Sequence, residues 1–174
     1  MKISDVNALS DEAFVARFGG LYEHSPWVAE GALKARPFAD VDAMLSAFAQ
    51  TVRSAGAEAQ LALVRAHPEL GHRAGIDPDL TDHSASEQAS AGLDRLTPAE
   101  YERFRGLNGA YRARFSMPFV ICVRKVAAPG KAAKTVIMDE MERRLAGTPE
   151  KELTEALTQI DAIAALRLKD LVTS

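Results

Sequence analysis

The sequence predicts an all-α fold: a single domain over residues 1–174, a bundle of about seven to nine helices, with one irregular apolar segment near 117–124. Two observations lead to this prediction. Apolar residues recur at helical spacing along most of the chain, and capping residues, glycines and prolines mark where these runs begin and end. The 174 residues, 47% hydrophobic and 26% charged, are enough for one globular core without disulfides or metals.

Four helices are predicted in the first half of the chain, over residues 10–20, 25–35, 40–56 and 57–66. Ser10 and Asp40 are suitable N-cap residues for the first and third of them. Ser25-Pro26 combines a capping serine with a proline at the first helical position, and opens the second. The third helix carries its apolar residues on one face, namely Val41, Met44, Leu45, Phe48 and Val52.

Four more helices are predicted over residues 84–96, 97–114, 131–146 and 149–171. Thr97-Pro98-Ala99-Glu100 is a capping box with proline at the first helical position. Two stretches do not fit the helical pattern. Residues 67–83 hold two prolines, two glycines and three histidines, which favours a loop. Residues 117–123 are apolar and β-branched but have no second strand to pair with, so we expect an extended or irregular buried segment.

The composition limits the compartment and the partners. A formal net charge of −3 disfavours general binding to nucleic acid, and no apolar run approaches the ~20 residues that span a bilayer. Cys122 is the only cysteine, so an intrachain disulfide is impossible and a reducing compartment is expected. The first residues lack the apolar core of a signal peptide. These features predict a soluble cytoplasmic protein that binds neither membranes nor nucleic acid.

His67 is the first candidate for chemistry. Its imidazole titrates near neutral pH, and it opens a long loop punctuated by glycines, a setting in which functional residues are common. The structural alternative is a histidine that ends a helix and interacts with the last carbonyl groups.

Glu87 is the second candidate. Ser84-Ala85-Ser86-Glu87 reads as a capping box, in which the glutamate only reaches back to the N–H of Ser84. The functional interpretation is that the N–H groups of residues 84–88 hold an anion or a carbonyl oxygen at a helix start. Gln88 would add an amide that both donates and accepts hydrogen bonds. A cap can also leave its carboxylate facing a cleft, so both interpretations stay open.

Other features favour structural roles. A metal site could use five residues close in sequence, but their spacing matches no zinc motif, so no metal is expected: His67, Glu69, His72, Asp77 and His83. An arginine run is best read as a solvated face with arginine stems over aromatic rings: Arg103, Arg105, Arg112 and Arg114. Cys122 lies in an apolar run and is expected to be inert core. The chain has no glycine-rich phosphate loop and no Gly-x-Ser-x-Gly elbow.

Five ordered motifs resemble those of the 2-oxo-4-hydroxy-4-carboxy-5-ureidoimidazoline (OHCU) decarboxylases. They are residues 19–30 with Arg36-Pro37-Phe38, His67-Pro68-Glu69-Leu70-Gly71, Ser84-Ala85-Ser86-Glu87-Gln88, Asn108-x-x-Tyr111-x-x-x-Phe115-x-x-Pro118-Phe119, and Leu166-Arg167-Leu168. The resemblance implies an all-helical homodimer without metal or organic cofactor that performs the last step from urate to (S)-allantoin. Some members are fused to the preceding hydrolase; at 174 residues, this chain is expected to act alone.

The resemblance also implies the site residues. His67 corresponds to the proton-transferring residue and Glu87 to an important carboxylate, which either holds His67 protonated or binds the substrate hydroxyl. The substrate-binding residues that it implies are Pro68, Ser84, Ala85, Ser86, Glu87, Gln88, Phe119, Val120, Ile121, Cys122, Val123 and Arg167. The choice of Arg167 for the substrate carboxylate is open, because Arg143 and Arg144 also lie toward the C-terminal end.

Cofactor-free chemistry is reasonable for such a substrate. Loss of CO2 leaves an electron pair that adjacent imine-type and carbonyl groups of the ring absorb, so the substrate is its own electron sink. Two alternatives from other classes remain: a metal-dependent hydrolase that uses the loop histidines, and a non-catalytic helical interaction module with Trp27 and Phe38 as surface anchors.

Overall fold

The computed structural model describes residues 1–71 and 80–173, and over these ranges the all-α prediction is confirmed. The described residues form nine α-helices and no strand longer than an isolated bridge. The helices are α1 (Ile3–Asn7), α2 (Asp11–Phe18), α3 (Trp27–Ala32), α4 (Val41–Ser54), α5 (Gly56–Arg65), α6 (Asp82–Ser90), α7 (Pro98–Phe115), α8 (Ala133–Arg144) and α9 (Pro149–Leu171). Within the described ranges, no helix is both long and apolar enough to cross a membrane.

Contacts along the chain divide it into two compact units. The first contains residues 1–66 and 160–173, and the second contains the described part of 67–159. Helix α9 therefore belongs in part to each unit. The single domain over 1–174 stays a prediction.

Three of the capping predictions are confirmed. The Ser10 hydroxyl accepts from the N–H of Ala13 at 3.2 Å, and the Asp40 carboxylate accepts from the N–H of Ala43 at 2.7 Å. At the start of α7 the capping box is complete: Thr97 N–H donates to Glu100 at 2.9 Å, while Glu100 N–H donates to Thr97 at 3.2 Å. These side chains satisfy amides that have no partner inside the helix.

One helix was missed, and two other capping predictions are wrong. The short helix α1 was not predicted, because five residues carry too little periodic signal. Ser25 is not a cap: its hydroxyl donates to the Glu23 carbonyl at 2.9 Å, and α3 begins after Pro26. Ser84 is not a cap either. Thr81 caps α6, which begins two residues earlier than predicted and ends at Ser90 instead of 96.

An aromatic cluster forms the core of the first unit. The ring of Phe14 lies 4.9 Å from that of Phe18 and 6.1 Å from that of Phe48, and Tyr22 stacks on Phe48 at 5.9 Å. Such offset pairs add to the free energy gained by burying the rings. The Tyr22 hydroxyl donates to Asp161 at 2.9 Å; burial, with the neighbouring carboxylate, raises the pKa of this phenol well above its usual value.

The second unit is built on the buried face of α7. Phe104, Asn108, Tyr111 and Phe115 recur along this face at helical spacing. A left-handed residue, Ser116, ends the helix. Residues 117–122 then run without helix or strand into a 3-10 turn at Val123–Lys125, as predicted for this segment.

Candidate functional site

His67 is the first residue of the second unit and follows the end of α5 by one residue, Ala66. Its side chain is buried, with 7% of the residue exposed, and the adjoining Pro68 is half-buried. A buried imidazole is held in one position more firmly than an exposed one, which is what directed proton transfer needs.

A pair of side-chain amides fixes the chain just after His67. Gln88 on α6 accepts from the N–H of Gly71 at 3.1 Å and donates to the carbonyl of Glu69 at 3.3 Å. Asn108 on α7 donates to the carbonyl of Leu70 at 2.9 Å. Three consecutive residues after His67-Pro68 are therefore anchored to two helices. The Gln88 amide, implied to bind substrate, also serves the backbone of this turn.

Gly71 is required at the end of the anchored turn. Its φ of +81° is strained for any residue with a Cβ, and a Cβ would lie 2.9 Å from Cγ of the buried Phe104. We expect Gly71→Ala to lower the free energy of unfolding by more than the ~1–2 kcal/mol of backbone strain alone. Gly92→Ala is the matched control, because Gly92 has φ +75° and open space around it. Equal losses in urea unfolding would contradict a tight contact at Gly71.

Helix α6 presents the residues of the Ser84–Gln88 motif on a regular helix. Thr81 O accepts from Ala85 N–H at 2.9 Å, and the helix itself uses the amides that follow. The N–H of Ser84 donates to the Thr81 hydroxyl at 3.3 Å, so the amides of residues 84–88 are used by the cap or by the helix, and their binding of an anion or a carbonyl oxygen stays a prediction. What faces the protein is a side-chain stripe: Ser84 and Gln88 are buried and Glu87 is half-buried.

The 3-10 turn Val123–Lys125, which begins at the last residue of the segment Phe119–Val123, contacts α6 within the same unit. Gln159 on α9 accepts from the N–H of Cys122 at 3.0 Å, and Arg144 donates to the carbonyl of Val120 at 2.8 Å. Ile121, between these two anchors, is half-buried, whereas the other four residues of the segment are buried. The segment is thus fixed on both sides of its one partly exposed residue.

The thiol of Cys122 connects this segment electrostatically to α6. Burial raises its pKa; Lys125 opposes this shift, and the carboxylate of Glu87 adds to it. The described part of the second unit therefore brings together the α6 stripe, with Glu87, and the segment 119–123. It also contains His67, whose turn is anchored to α6 by Gln88.

The comparisons with known proteins identify the family of the chain. The family model described as OHCU decarboxylase matches residues 7–169. The chain belongs to the OHCU decarboxylase family. A relative from Haloferax volcanii named 2-oxo-4-hydroxy-4-carboxy-5-ureidoimidazoline decarboxylase is 44% identical over 100% of this chain and 98% of its own length. A relative of the same name from Halalkalicoccus jeotgali is 42% identical over 98% of this chain and 92% of its own.

The chain is also similar in three-dimensional structure to a solved protein. The crystal structure of (S)-allantoin synthase superimposes with a TM-score of 0.75 at 28% identity, covering 99% of this chain and 54% of that one. The family assignment rests on nearly the full length of the chain, and the enzyme class is that of the carboxy-lyases.

The arginine implied for the substrate carboxylate, Arg167, belongs to the first unit. Its guanidinium donates to Glu23 at 3.0 Å and to the carbonyl of Leu21 at 3.4 Å. The side chains of Arg167 and Glu23 are 2% and 0% exposed. Arg167 therefore has a buried structural partner, and its contact with substrate stays a prediction.

The alternatives of other classes find less support in this OHCU decarboxylase-family fold. Phe38 is buried, with its ring centroid 6.0 Å from that of Phe14, so it is not the surface anchor that the interaction-module alternative requires. Trp27 is half-buried. In the part of the chain that is described, no three His, Cys, Asp or Glu residues group closely enough to hold a metal. Two residues of the metal alternative, His72 and Asp77, lie outside the described ranges.

The arginine run on α7 behaves as a solvated face. Arg103 pairs with Glu142 at 2.7 Å, and Arg112 donates to Glu69 at 2.7 Å. The guanidinium of Arg114 lies 5.5 Å over the ring of Phe115. Each of these three arginines therefore has a partner on the protein itself.

The sequence did not indicate an anchoring role for four residues: Asn108, Arg144, Glu152 and Gln159. A signal for two of them existed. Asn108 lies on the apolar stripe of α7, and Glu152 lies four residues before the buried Ala156 and eight before Ile160 on α9. A polar or charged residue on a buried stripe requires a buried partner.

Proposed function

We propose that this chain decarboxylates 2-oxo-4-hydroxy-4-carboxy-5-ureidoimidazoline to (S)-allantoin in urate degradation, without a cofactor and with His67 in proton transfer. The family and the names of the full-length relatives support the reaction. One structural observation supports the site: a single compact unit contains the buried His67, the stripe of α6 with Glu87, and the anchored segment 119–123.

The proposed chemistry conserves atoms and charge at the ring. The bond between the ring carbon and the carboxylate breaks, CO2 leaves, and the electron pair passes into the adjacent imine-type and carbonyl groups. A proton then adds to one face of the ring. The protein holds the carboxylate out of the ring plane, stabilises the developing charge and delivers the proton from one side. One-sided delivery by His67 accounts for a single enantiomer.

The other residues hold the substrate. Pro68 contacts it beside His67, and Glu87 either keeps His67 protonated or accepts from the substrate hydroxyl. The α6 motif contributes Ser84, Ala85, Ser86, Glu87 and Gln88, and the wall of the site is formed by Phe119, Val120, Ile121, Cys122 and Val123. Arg167 is proposed for the substrate carboxylate. The chain is further proposed to act as a cytoplasmic homodimer; light scattering at several protein concentrations tests the dimer.

The reaction is tested with freshly generated substrate. Uncatalysed decay gives racemic allantoin slowly, so an active enzyme accelerates the loss of substrate absorbance and makes the product optically active. EDTA is expected to leave the rate unchanged. Loss of activity that Zn²⁺ restores would support the metal-dependent alternative, and a racemic product at the uncatalysed rate would support the interaction module.

The carboxylate of Glu87 is expected to affect catalysis more than stability. Because Thr81 caps α6, Glu87 has no capping duty, so Glu87→Gln should lower kcat on the order of tenfold while the melting temperature changes little. Asp82→Asn is the matched control, since Asp82 is an exposed carboxylate in the first turn of the same helix. There the slight loss should be in stability, with kcat intact. The reverse pattern would remove Glu87 from the mechanism.

A further inference from the structure

Arg144, at the end of α8, is almost fully enclosed by the second unit. Its side chain is 2% exposed, and that of its partner Glu152 is 6% exposed. Each of its three guanidinium nitrogens has an acceptor. Nε donates to Glu152 at 2.9 Å, Nη1 to the Val120 carbonyl at 2.8 Å, and Nη2 to the Tyr111 hydroxyl at 3.4 Å.

The acceptors around Arg144 are themselves held in place. The Tyr111 hydroxyl donates to the same Glu152 oxygen at 2.6 Å, which closes a triangle of arginine, carboxylate and phenol. Burial raises the pKa of the Tyr111 phenol above its usual value, and the hydrogen bond to Glu152 adds to the shift. The phenol therefore stays protonated and keeps donating. A planar guanidinium held in this way can move little.

The fixed guanidinium acts on two neighbouring residues of the substrate-binding segment. It holds the carbonyl of Val120, and its Cζ atom lies 4.4 Å from the ring centroid of Phe119. The ring of Phe119 also meets that of Tyr111 edge-on at 5.4 Å. An irregular segment has no ladder of its own hydrogen bonds to fix its conformation. The Arg144 contacts supply that constraint ahead of the half-buried Ile121.

We propose that Arg144 is the positioning residue of the substrate-binding segment 119–123, and that Glu152 and Tyr111 orient it for this task. The proposal rests on the proposed function, because it gives this segment its role. It also gives Arg144 a structural duty, since each of its three guanidinium nitrogens donates to an acceptor within the protein.

The test compares Arg144→Lys with the control variant Arg103→Lys. Arg103 is exposed and pairs with Glu142 on the surface at 2.7 Å, so its replacement should leave both KM and kcat unchanged. Lysine at 144 keeps the positive charge beside Glu152 but cannot hold the Val120 carbonyl and Glu152 in one fixed geometry. We expect it to raise KM about tenfold with a smaller change in kcat, because a misplaced binding wall weakens binding in the ground and transition states alike.

Stability and binding separate a positioning role from a purely structural one. If Arg144 only neutralises Glu152, Arg144→Lys keeps both the melting temperature and the KM of the wild-type chain, and the proposal is overturned. If Arg144 positions the segment, Arg144→Lys keeps most of the melting temperature while its KM is raised. A fall in kcat with unchanged KM would also overturn the proposal.

A milder variant decides the matter if Arg144→Lys does not fold. Tyr111→Phe keeps the ring packing but removes the hydroxyl that orients Arg144 and Glu152, and should raise KM about threefold; unchanged KM would overturn the proposal. The wild-type chain is assayed first. If it does not turn the substrate over, the proposed function fails; if it does and the variants bind normally, only the positioning role fails.

Discussion

Replacing His67 with asparagine is expected to abolish turnover while the helical circular dichroism spectrum persists. A positioned imidazole contributes about 10²–10⁴-fold by general acid–base catalysis, and asparagine cannot take up or release a proton near neutral pH. Because His67 is buried at the start of an anchored turn, asparagine also leaves the amides of Gln88 and Asn108 with their backbone partners. The measurement is kcat with freshly generated substrate beside a thermal melt.

His83→Asn is the matched control. His83 is exposed in the first turn of α6 and has no role in the proposed chemistry, so this variant should keep normal kcat. The metal-dependent alternative predicts instead that both histidine variants lose activity together. Near-normal turnover in His67→Asn would remove this histidine from the mechanism.

Replacing Glu23 with glutamine is expected to cause the largest loss of stability. Glu23 pairs with Arg167 at 3.0 Å, and both side chains are almost fully buried. Removing one partner leaves a buried charge without compensation, which costs about 3–5 kcal/mol. Urea unfolding followed by circular dichroism measures this loss directly.

An exposed ion pair provides the comparison for Glu23. Glu142 pairs with Arg103 at 2.7 Å, but the two side chains are 52% and 43% exposed. Solvent screens such a pair, so Glu142→Gln should change the free energy of unfolding by less than about 1 kcal/mol. If the two variants unfold at the same urea concentration, burial is not what gives the Glu23–Arg167 pair its importance.

Much of the fold followed from the sequence because capping chemistry is local. Asp40 and Thr97 determine where α4 and α7 begin through contacts three residues away, and such patterns are visible in the sequence. The start of α6 was misplaced because local capping patterns do not decide between two neighbouring caps. Thr81 and Ser84 are both good caps three residues apart, and the choice between them depends on how Ser84 and Gln88 are buried, which local sequence does not contain.

The site was predictable as a set of motifs but not as a set of contacts. The resemblance pointed to His67, Gln88 and the segment 119–123, whereas the other anchoring residues come from α7, α8 and α9, namely Asn108, Arg144 and Gln159. The Arg144–Val120 contact joins residues 24 apart in sequence, and the Asn108–Leu70 contact joins residues 38 apart. Helical periodicity reports which face of a helix is buried, not what that face meets.

The single thiol makes the segment 119–123 observable in solution. Because burial raises the pKa of Cys122, little thiolate forms near neutral pH, and alkylating reagents attack the thiolate form. Labelling of the native chain should therefore proceed only as fast as the polypeptide around residue 122 opens to solvent. Because the sequence has one cysteine, mass spectrometry of the single adduct measures the rate of this opening without an engineered probe.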